Sequence, residues 1–370
     1  MLLGAGHAHV QVLQSLAERR PANLKITLIA PAPQLLYSGM LPGFVAGHYA
    51  LSQCVISLQE LVSRCGARFI ASGSAALNAD ASRITFNNGD CLTYDLLSLN
   101  TGSVMDRLKI ETSMPGAREH ALFVRPIETF APLWPQVAAK GQVRPIHLAV
   151  VGAGAAGLEL AMAAAYAFEQ PGYAAGSRVT LITGGVPPAQ NYSAEAQRRI
   201  HSALRRLKIT LIPDACNGMV EGEIKLASGG SLACDIALLA IGAQAPAWLA
   251  GGSLALDDAG FVAVNAFQQS TSHPNVFASG DVASRVDAPH PRSGVYAVRS
   301  GPPLMANLRA ALACRPLTPY RPPTRTLNLL SCGGRYAIAV WGGLSVEGKW
   351  VWHLKDRIDK RFVSQYGNFA

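Results

Sequence analysis

The stretch HLAVVGAGAAGLELAMAAAYAF, residues 147–168, decides the fold. Leu148-Ala149-Val150-Val151 is apolar without alternation, the pattern of a strand buried on both faces. Gly152-Ala153-Gly154-Ala155-Ala156-Gly157 is a tight turn, and Leu158 to Phe168 an alanine-rich helix. Each glycine has a task. Gly152 permits the turn, Gly154 lets backbone approach a pyrophosphate, and Gly157 lets helix and strand pack closely, with phosphate at the helix N-terminus. The spacing alone is weak evidence. Its place between an apolar strand and a helix favours a dinucleotide turn over an ordinary strand-to-helix turn. Arg178 to Ile182 (RVTLI) supplies the next strand and completes a βαβ opening.

Working outward, the same opening stands at the front of the chain. Leu2-Leu3 is a strand of two or three residues, Gly4-Ala5-Gly6 the turn, Val10 to Arg20 a helix, and Leu24 to Ala30 a strand. His9 occupies the third glycine's position, so packing there must be looser or the imidazole must turn away. The two openings lie about 150 residues apart, a duplication of whole domains. Asp235 to Gly242 (DIALLAIG) echoes Asp95 to Gly102 (DLLSLNTG), each a buried strand ending in a small residue and glycine. Residues 272–281 (SHPNVFASGD) add an apolar strand ending in Gly280-Asp281, where a carboxylate can accept from sugar-chain hydroxyls; a plain strand cap is the competing reading. The acid expected after the second strand of each unit is missing: the chain has Ala30-Pro31 and Thr183-Gly184-Gly185 there. Nothing at these ends chooses between NADH and NADPH.

Composition sets the frame. With 370 residues, 49% of them hydrophobic and 15% charged, the chain can build two or three domains and is not a disordered polymer. A net charge of +9 favours anionic partners: phosphates, anionic lipid or nucleic acid. No nucleic-acid module is recognisable, so dinucleotide phosphate and lipid take precedence. Seven cysteines, none in a C-x2-C or C-x4-C pair, read as reduced thiols of a cytosolic protein. The histidines show no metal-ligand spacing, and no metal is expected. With neither a signal-peptide pattern nor ~18 uninterrupted apolar residues, the expected location is the cytoplasm, in solution or on the inner membrane face. Past Pro316 a proline-rich linker leads to strands 327–330, 336–341 and 344–346, separated by Gly333-Gly334 and Gly342-Gly343, hairpin signals of an antiparallel sheet. From Trp350 to Tyr366 an apolar stripe of Trp350, Leu354, Ile358, Phe362 and Tyr366 predicts a helix. With Trp352 and the cations Lys349, Lys355, Arg357, Lys360 and Arg361, it suits either a lipid surface or packing on the protein or a second subunit.

These elements, in this order, resemble the two-dinucleotide-binding-domain flavoproteins, the pyridine nucleotide-disulfide oxidoreductase superfamily. The segments GHAHV (6–10), YSGMLPG (37–43), GVYAVRSGPPL (294–304), GKWVW (348–352) and Lys355-Asp356 are similar to the NADH-dehydrogenase-like flavoprotein found fused ahead of selenophosphate synthase (selenide, water dikinase). The resemblance implies an α/β fold of two Rossmann-like domains, the second inserted in the first. FAD would lie on residues 1–116 and 243–318 and NAD(P)H on 117–242, with a C-terminal sheet and helix over 319–370. By the same resemblance Gly4, Gly6 and Asp281 bind FAD, and Gly152, Gly154 and Gly157 bind NADH or NADPH. His7, His9, Tyr37, Pro42, Thr101, Gly102, Thr183, Gly242 and Gly280 complete the cofactor-binding candidates, and in this relative His9 is a family trait. Arg125 and Tyr37 could also approach the flavin.

The expected activity is hydride transfer from NAD(P)H to FAD, then electron transfer to quinone or another small acceptor, as in type II NADH:quinone oxidoreductases. Glu159 matches a glutamate that those enzymes place near nicotinamide and flavin; a first-turn glutamate stabilised by the helix dipole is the equal alternative. Arg299-Ser300 stands where they carry paired glutamines beside quinone. Cys332 lies where sulfide:quinone reductases carry a cysteine, although nothing local lowers a thiol pKa there or at Cys54 and Cys65, and buried structural thiols are favoured. Glu159, Arg299 and Cys332 are therefore the catalytic candidates. Two alternatives stay open: a sulfide- or selenide-handling flavoprotein, and a non-catalytic dinucleotide-binding partner of selenophosphate synthase. Oligomeric state is not read.

Overall fold

A parallel sheet needs helices on both faces, so its strands must be apolar throughout. The computed structural model describes residues 1–366, with Ser74 and Ala75 by backbone alone, and contains two such sheets. In the first, the strands run Val276–Ala278, Leu97–Leu99, Leu2–Leu3, Thr27–Ala30 and Arg68–Ala71, each parallel to its neighbours. The second is ordered Ala121–Phe123, Ile236–Leu239, His147–Val151, Arg178–Ile182 and Thr210–Ile212, again all parallel. The orders correspond strand for strand, and each unit carries a three-stranded antiparallel meander before the chain returns to the strand beside the central one. The duplication is structural as well as sequential. The strand Val276–Ala278 follows the whole second sheet in sequence yet pairs with Leu97–Leu99, so the chain leaves the first unit and comes back to it.

The opening strand has two residues, Leu2 and Leu3, which pair on both sides, with Leu28 and Ile29 and with Ser98 and Leu99. Its shortness is tolerated because the turn continues the ladder: the Gly4 N–H donates to the Ile29 carbonyl at 2.8 Å. The helices begin earlier than the apolar periodicity suggests, at His7 and Ala155 instead of Val10 and Leu158. Gly6 and Gly154 are extended cap residues, so the first turn starts directly after them and leaves its N–H groups without intrahelical partners.

The C-terminal strands Leu327–Ser331, Ala337–Trp341 and Leu344–Gly348 form the expected antiparallel sheet. The helix Lys349–Tyr366 packs on it and on the strand Val55–Ser57. Its buried face is not the expected one. Val351, Trp352, Lys355, Asp359, Phe362, Val363 and Tyr366 point inward, while Trp350, Leu354 and Ile358 are 58%, 38% and 44% exposed. Strict four-residue steps drift around a helix that repeats every 3.6 residues, so the expected stripe leaves the interface at its N-terminal half. An ion pair fills the middle of the true interface, and that places Lys355 in the interior and off the surface.

Candidate active site

In open α/β sheets ligands lie beyond the carboxyl ends of the strands, where strand order reverses. At that end of the first sheet, three separated segments meet. The Gly6 N–H donates to the Asn100 carbonyl at 3.1 Å, the His9 N–H to Asn100 Oδ1 at 3.1 Å, and Asn100 Nδ2 to the Ser279 carbonyl at 2.6 Å. Asn100 thus clamps the Gly4–Gly6 turn to the Ser279-Gly280-Asp281 strand end. Glycine is required at position 4: φ is +84°, and a Cβ there would sit 2.5 Å from Thr101 Cα. Gly102, at φ +73°, faces open space instead. Asp281 is held by Arg125 at 3.7 Å and by the Ser103 hydroxyl, which donates to it at 3.3 Å. Two buried polar atoms of this cleft, His7 Nε2 and Thr101 Oγ1, have no partner among the described residues. Unpaired groups, a glycine cradle and a sugar-accepting carboxylate fit the FAD that the resemblance implies.

His9 does not turn away. It is fully buried, with Nδ1 2.6 Å from the Gly4 carbonyl and Nε2 2.8 Å from Ser98 Oγ. The imidazole bridges turn and strand where a glycine would let them touch. Burial holds its pKa down to about 4, so it is neutral at physiological pH. His7 is also held down to about 4, burial outweighing the attraction of the Asp281 carboxylate.

The second turn is built more tightly. Gly152 has φ +118°, and a Cβ on it would lie 2.5 Å from the Ala240 carbonyl oxygen. A Cβ on Gly157 would overlap the Gly152 carbonyl. Gly154 and Gly242 have nothing within 4 Å of such an atom, and Gly154 is exposed. Helix and strand therefore pack at Gly157 while Gly154 stays open for a ligand. Thr183, directly after the strand Arg178–Ile182, keeps a buried hydroxyl without a partner among the described residues. This arrangement fits the pyrophosphate and ribose of a nicotinamide dinucleotide.

Between the two turns lies a charged cluster, part of which sequence reading missed. Lys355 Nζ donates to Asp359 Oδ2 and to the Gly39 carbonyl, both at 2.6 Å. Glu159 Oε1 accepts the Ser331 N–H at 2.7 Å. Burial pushes the Glu159 carboxyl above its ordinary range, against the opposing pull of Lys355. Burial would by itself lower the Lys355 pKa, but Asp359 and Glu159 together raise it, so the ammonium stays charged. Tyr37 points its hydroxyl at Asp359, and burial followed by that carboxylate drives its pKa up. Its ring stacks on Phe362 at 4.7 Å and meets His7 edge-on at 5.4 Å. Lys355, Asp359, Phe362 and Ser331 were not singled out for this site. Buried Lys and Asp look like surface residues in sequence; the only available signal was their i, i+4 spacing.

The three catalytic candidates separate. Glu159 and Cys332 are neighbours, joined through Ser331. Cys332 is buried, and burial together with the Glu159 charge pushes its thiol up to about 12, so it is protonated and unreactive at neutral pH. Arg299 ends the helix Gly294–Arg299 with an exposed side chain, away from this cluster. Pro42 is buried in the short helix Leu41–Val45 after the Tyr37 segment.

Comparison with known proteins fits this geometry. Residues 1–301 match the family described as pyridine nucleotide-disulphide oxidoreductase. An NADH dehydrogenase-like protein of Mycobacterium tuberculosis is 27% identical over 307 residues, covering 77% of this chain and 74% of that protein. The sulfide:quinone oxidoreductase of Aquifex aeolicus superposes with a TM-score of 0.80 at 18% identity, covering 99% of this chain and 90% of its own. NDH2 of Plasmodium falciparum, solved in complex with NADH, gives a TM-score of 0.79 at 12% identity, covering 99% and 98%.

Proposed function

The chain belongs to the pyridine nucleotide-disulphide oxidoreductase family and is an FAD-dependent NAD(P)H oxidoreductase; on that premise we propose that it delivers electrons to a quinone-like acceptor. Bound together, the two cofactors supply hydride transfer between nicotinamide and flavin. The chain's own residues supply position and charge. Gly4 and Gly6 shape a turn that lets the backbone approach the first pyrophosphate, their own N–H groups being bonded to the Ile29 and Asn100 carbonyls, and Asp281 would accept from the sugar chain. Gly152, Gly154 and Gly157 do the same work for the second dinucleotide. Near Tyr37, the Lys355 ammonium is a fixed buried cation that favours negative charge developing beside it. Glu159, whose carboxyl burial pushes above its ordinary range, is a group that can hold a proton beside the cluster.

The observation that carries this reading is the convergence of Gly4, Gly6, Thr101 and Asp281 at the carboxyl end of the first sheet, with the unpaired His7 and Thr101 atoms beside them. A hydride donor and a buried cation–carboxylate cluster with no reactive thiol favour direct transfer from flavin to a small acceptor. The sulfide- or selenide-handling alternative needs a poised cysteine. Cys332 and Cys54 are both buried, with thiols pushed up to about 12. No observation favours a selenophosphate synthase partner.

The exposed face of the C-terminal segment supports delivery at a membrane surface. Trp341, Leu344, Val346, Trp350, Leu354 and Ile358 are exposed, and Lys349, Arg357, Lys360 and Arg361 are exposed beside them. Large apolar groups flanked by cations suit an anionic lipid interface. No helix among the described residues is long and apolar enough to cross a membrane. Steady-state turnover with NADH and a water-soluble short-chain quinone tests the acceptor. Quinone reduction faster than oxidase activity supports it; reduction of sulfur compounds alone contradicts it.

A further inference from the structure

The strand Arg178–Ile182 runs out into residues 183–193 (TGGVPPAQNYS), which carry no charge. In a dinucleotide unit that strand end faces the adenosine ribose, and an acid there would grip the 2′-hydroxyl. The neighbouring strand, Thr210–Ile212, supplies an acid instead. Its carboxyl end is stitched to the first: the Thr183 N–H donates to the Ile212 carbonyl at 3.0 Å, and the Gly184 N–H to the Asp214 carbonyl at 2.8 Å. Asp214 therefore stands beside Gly184, and it is the one charged residue in 209–220 (ITLIPDACNGMV).

Its carboxylate is fixed by short-range bonds. Oδ1 accepts the Ala215 N–H at 2.7 Å, while Oδ2 accepts from the Ser228 hydroxyl at 2.5 Å and the Ser228 N–H at 3.3 Å. The Ser228 hydroxyl above all holds this carboxyl below its ordinary range, so it is ionised at neutral pH. Among the described residues no lysine or arginine pairs with it. The first cations after the loop, Arg198 and Arg199, stand on the helix Ala194–Arg206, where Arg199 is taken by Glu195 at 2.7 Å and Glu347 at 2.9 Å. The loop itself is tied to the glycine turn. Ala189 is buried at φ +59° and donates its N–H to the Ala153 carbonyl at 3.3 Å. Gln197 Nε2 holds the same loop through the Gln190 and Tyr192 carbonyls, at 3.3 and 2.9 Å. One fixed loop thus joins the glycine turn to the Gly184–Asp214 edge.

Resting on the reading that Gly152, Gly154 and Gly157 take a nicotinamide dinucleotide, we propose that Asp214 selects NADH over NADPH by repelling the 2′-phosphate. Both carboxylate oxygens already accept hydrogen bonds, so Asp214 acts as a fixed charge and not as a hydroxyl grip. NADH presents a neutral ribose hydroxyl to it. NADPH presents a phosphate of about −1.5 to −2 charge, with no cation on either strand end to offset the anion. Discrimination then comes from a repulsive element placed against the wrong ligand. It is supplied by the third strand of the unit, which is why the end of the second can do without an acid.

The test uses the full-length protein with its flavin. Calorimetric titration of the oxidised form with NAD+ and with NADP+ measures binding without turnover, and anaerobic stopped-flow reduction by NADH and NADPH follows the flavin. NADP+ is expected to bind at least about tenfold more weakly than NAD+, and Asp214→Asn to narrow that ratio by about tenfold. Asp214→Glu, which keeps the charge, retains the preference. In the native protein added salt narrows the ratio, because a charge at a partly exposed position is screened; this arm needs no variant. Equal binding of the two nucleotides, a preference for NADP+, or a ratio that Asp214→Asn leaves unchanged overturns the proposal. A preference indifferent to salt assigns selection to shape and overturns it too. Flavin that neither reduced nucleotide bleaches, in a protein that binds neither oxidised one, overturns the functional reading and this proposal with it.

Discussion

Replacing Lys355 with methionine should be among the most damaging single changes in the C-terminal helix. The substitution keeps the apolar stem and deletes only the ammonium, whose two hydrogen bonds of 2.6 Å hold Asp359 and the Gly39 carbonyl. Asp359 is 5% exposed and would be left without its cation, with Tyr37 beside it. Removing one partner of a buried pair costs about 3–5 kcal/mol, because the survivor stays desolvated and unpaired. In the double variant Lys355→Met with Asp359→Leu the stranded carboxyl is gone. What remains is the orphaned Gly39 carbonyl and Tyr37 hydroxyl, about 1–3 kcal/mol in all. The double variant is therefore expected to be about 2 kcal/mol more stable than the single one, a reversal that independent surface residues never show. Urea unfolding of the three proteins at neutral pH measures it. Loss of the cation should also lift the Glu159 pKa further, since Lys355 is the charge that opposes its burial. Any activity limb that follows Glu159 ionisation then moves to higher pH. A Lys355→Met cost below about 1 kcal/mol would refute the buried cluster, since that is what an exposed pair contributes.

Three further outcomes follow from the same geometry. Gly154→Ala meets nothing within 4 Å, so stability should stay within about 0.5 kcal/mol, while the KM for NADH rises severalfold and flavin content is unchanged; an unaltered KM contradicts the assigned turn. His9, buried with a pKa near 4 against an ordinary 6.5, stabilises the fold fully above pH 6.5 and loses that contribution as pH falls toward 4. The loss is worth about 3 kcal/mol, so unfolding free energy measured across that window should drop in the native protein and drop less in His9→Gln. Trp350→Ser with Leu354→Ser removes exposed apolar surface only, and should weaken co-sedimentation with anionic vesicles without changing NADH-driven flavin reduction in solution; undiminished vesicle binding discounts the lipid face.

The sequence carried the fold because both sheets rest on uninterrupted apolar strands followed by glycine turns, a pattern set by local chemistry. The pairing of Val276–Ala278 with Leu97–Leu99 was legible only through the resemblance, since no local signal tells a chain where to return. At the candidate site, Gly4, Gly6, Gly152 and Gly157 stand where a Cβ would collide with neighbouring atoms, a local steric demand that the sequence spacing already expressed. Lys355 and Asp359 were not legible. Their burial depends on a strand and a loop more than 290 residues earlier, and a charged i, i+4 pair normally marks a solvated helix face. The C-terminal stripe failed for the same reason: apolar spacing identified the helix but not which side the protein would cover. Cys332 shows the converse. Its position suggested reactivity, while its surroundings raise the thiol pKa.

Two nucleotide sites on one chain are proposed to bring a nicotinamide dinucleotide and FAD together for electron transfer. The most direct test is anaerobic titration of the purified protein with NADH, followed by visible absorption. A yellow protein is expected, its flavin band bleaching with one equivalent of NADH and returning when a quinone is admitted. A colourless protein that takes up no added FAD, or a flavin band indifferent to both NADH and NADPH, would contradict that proposal.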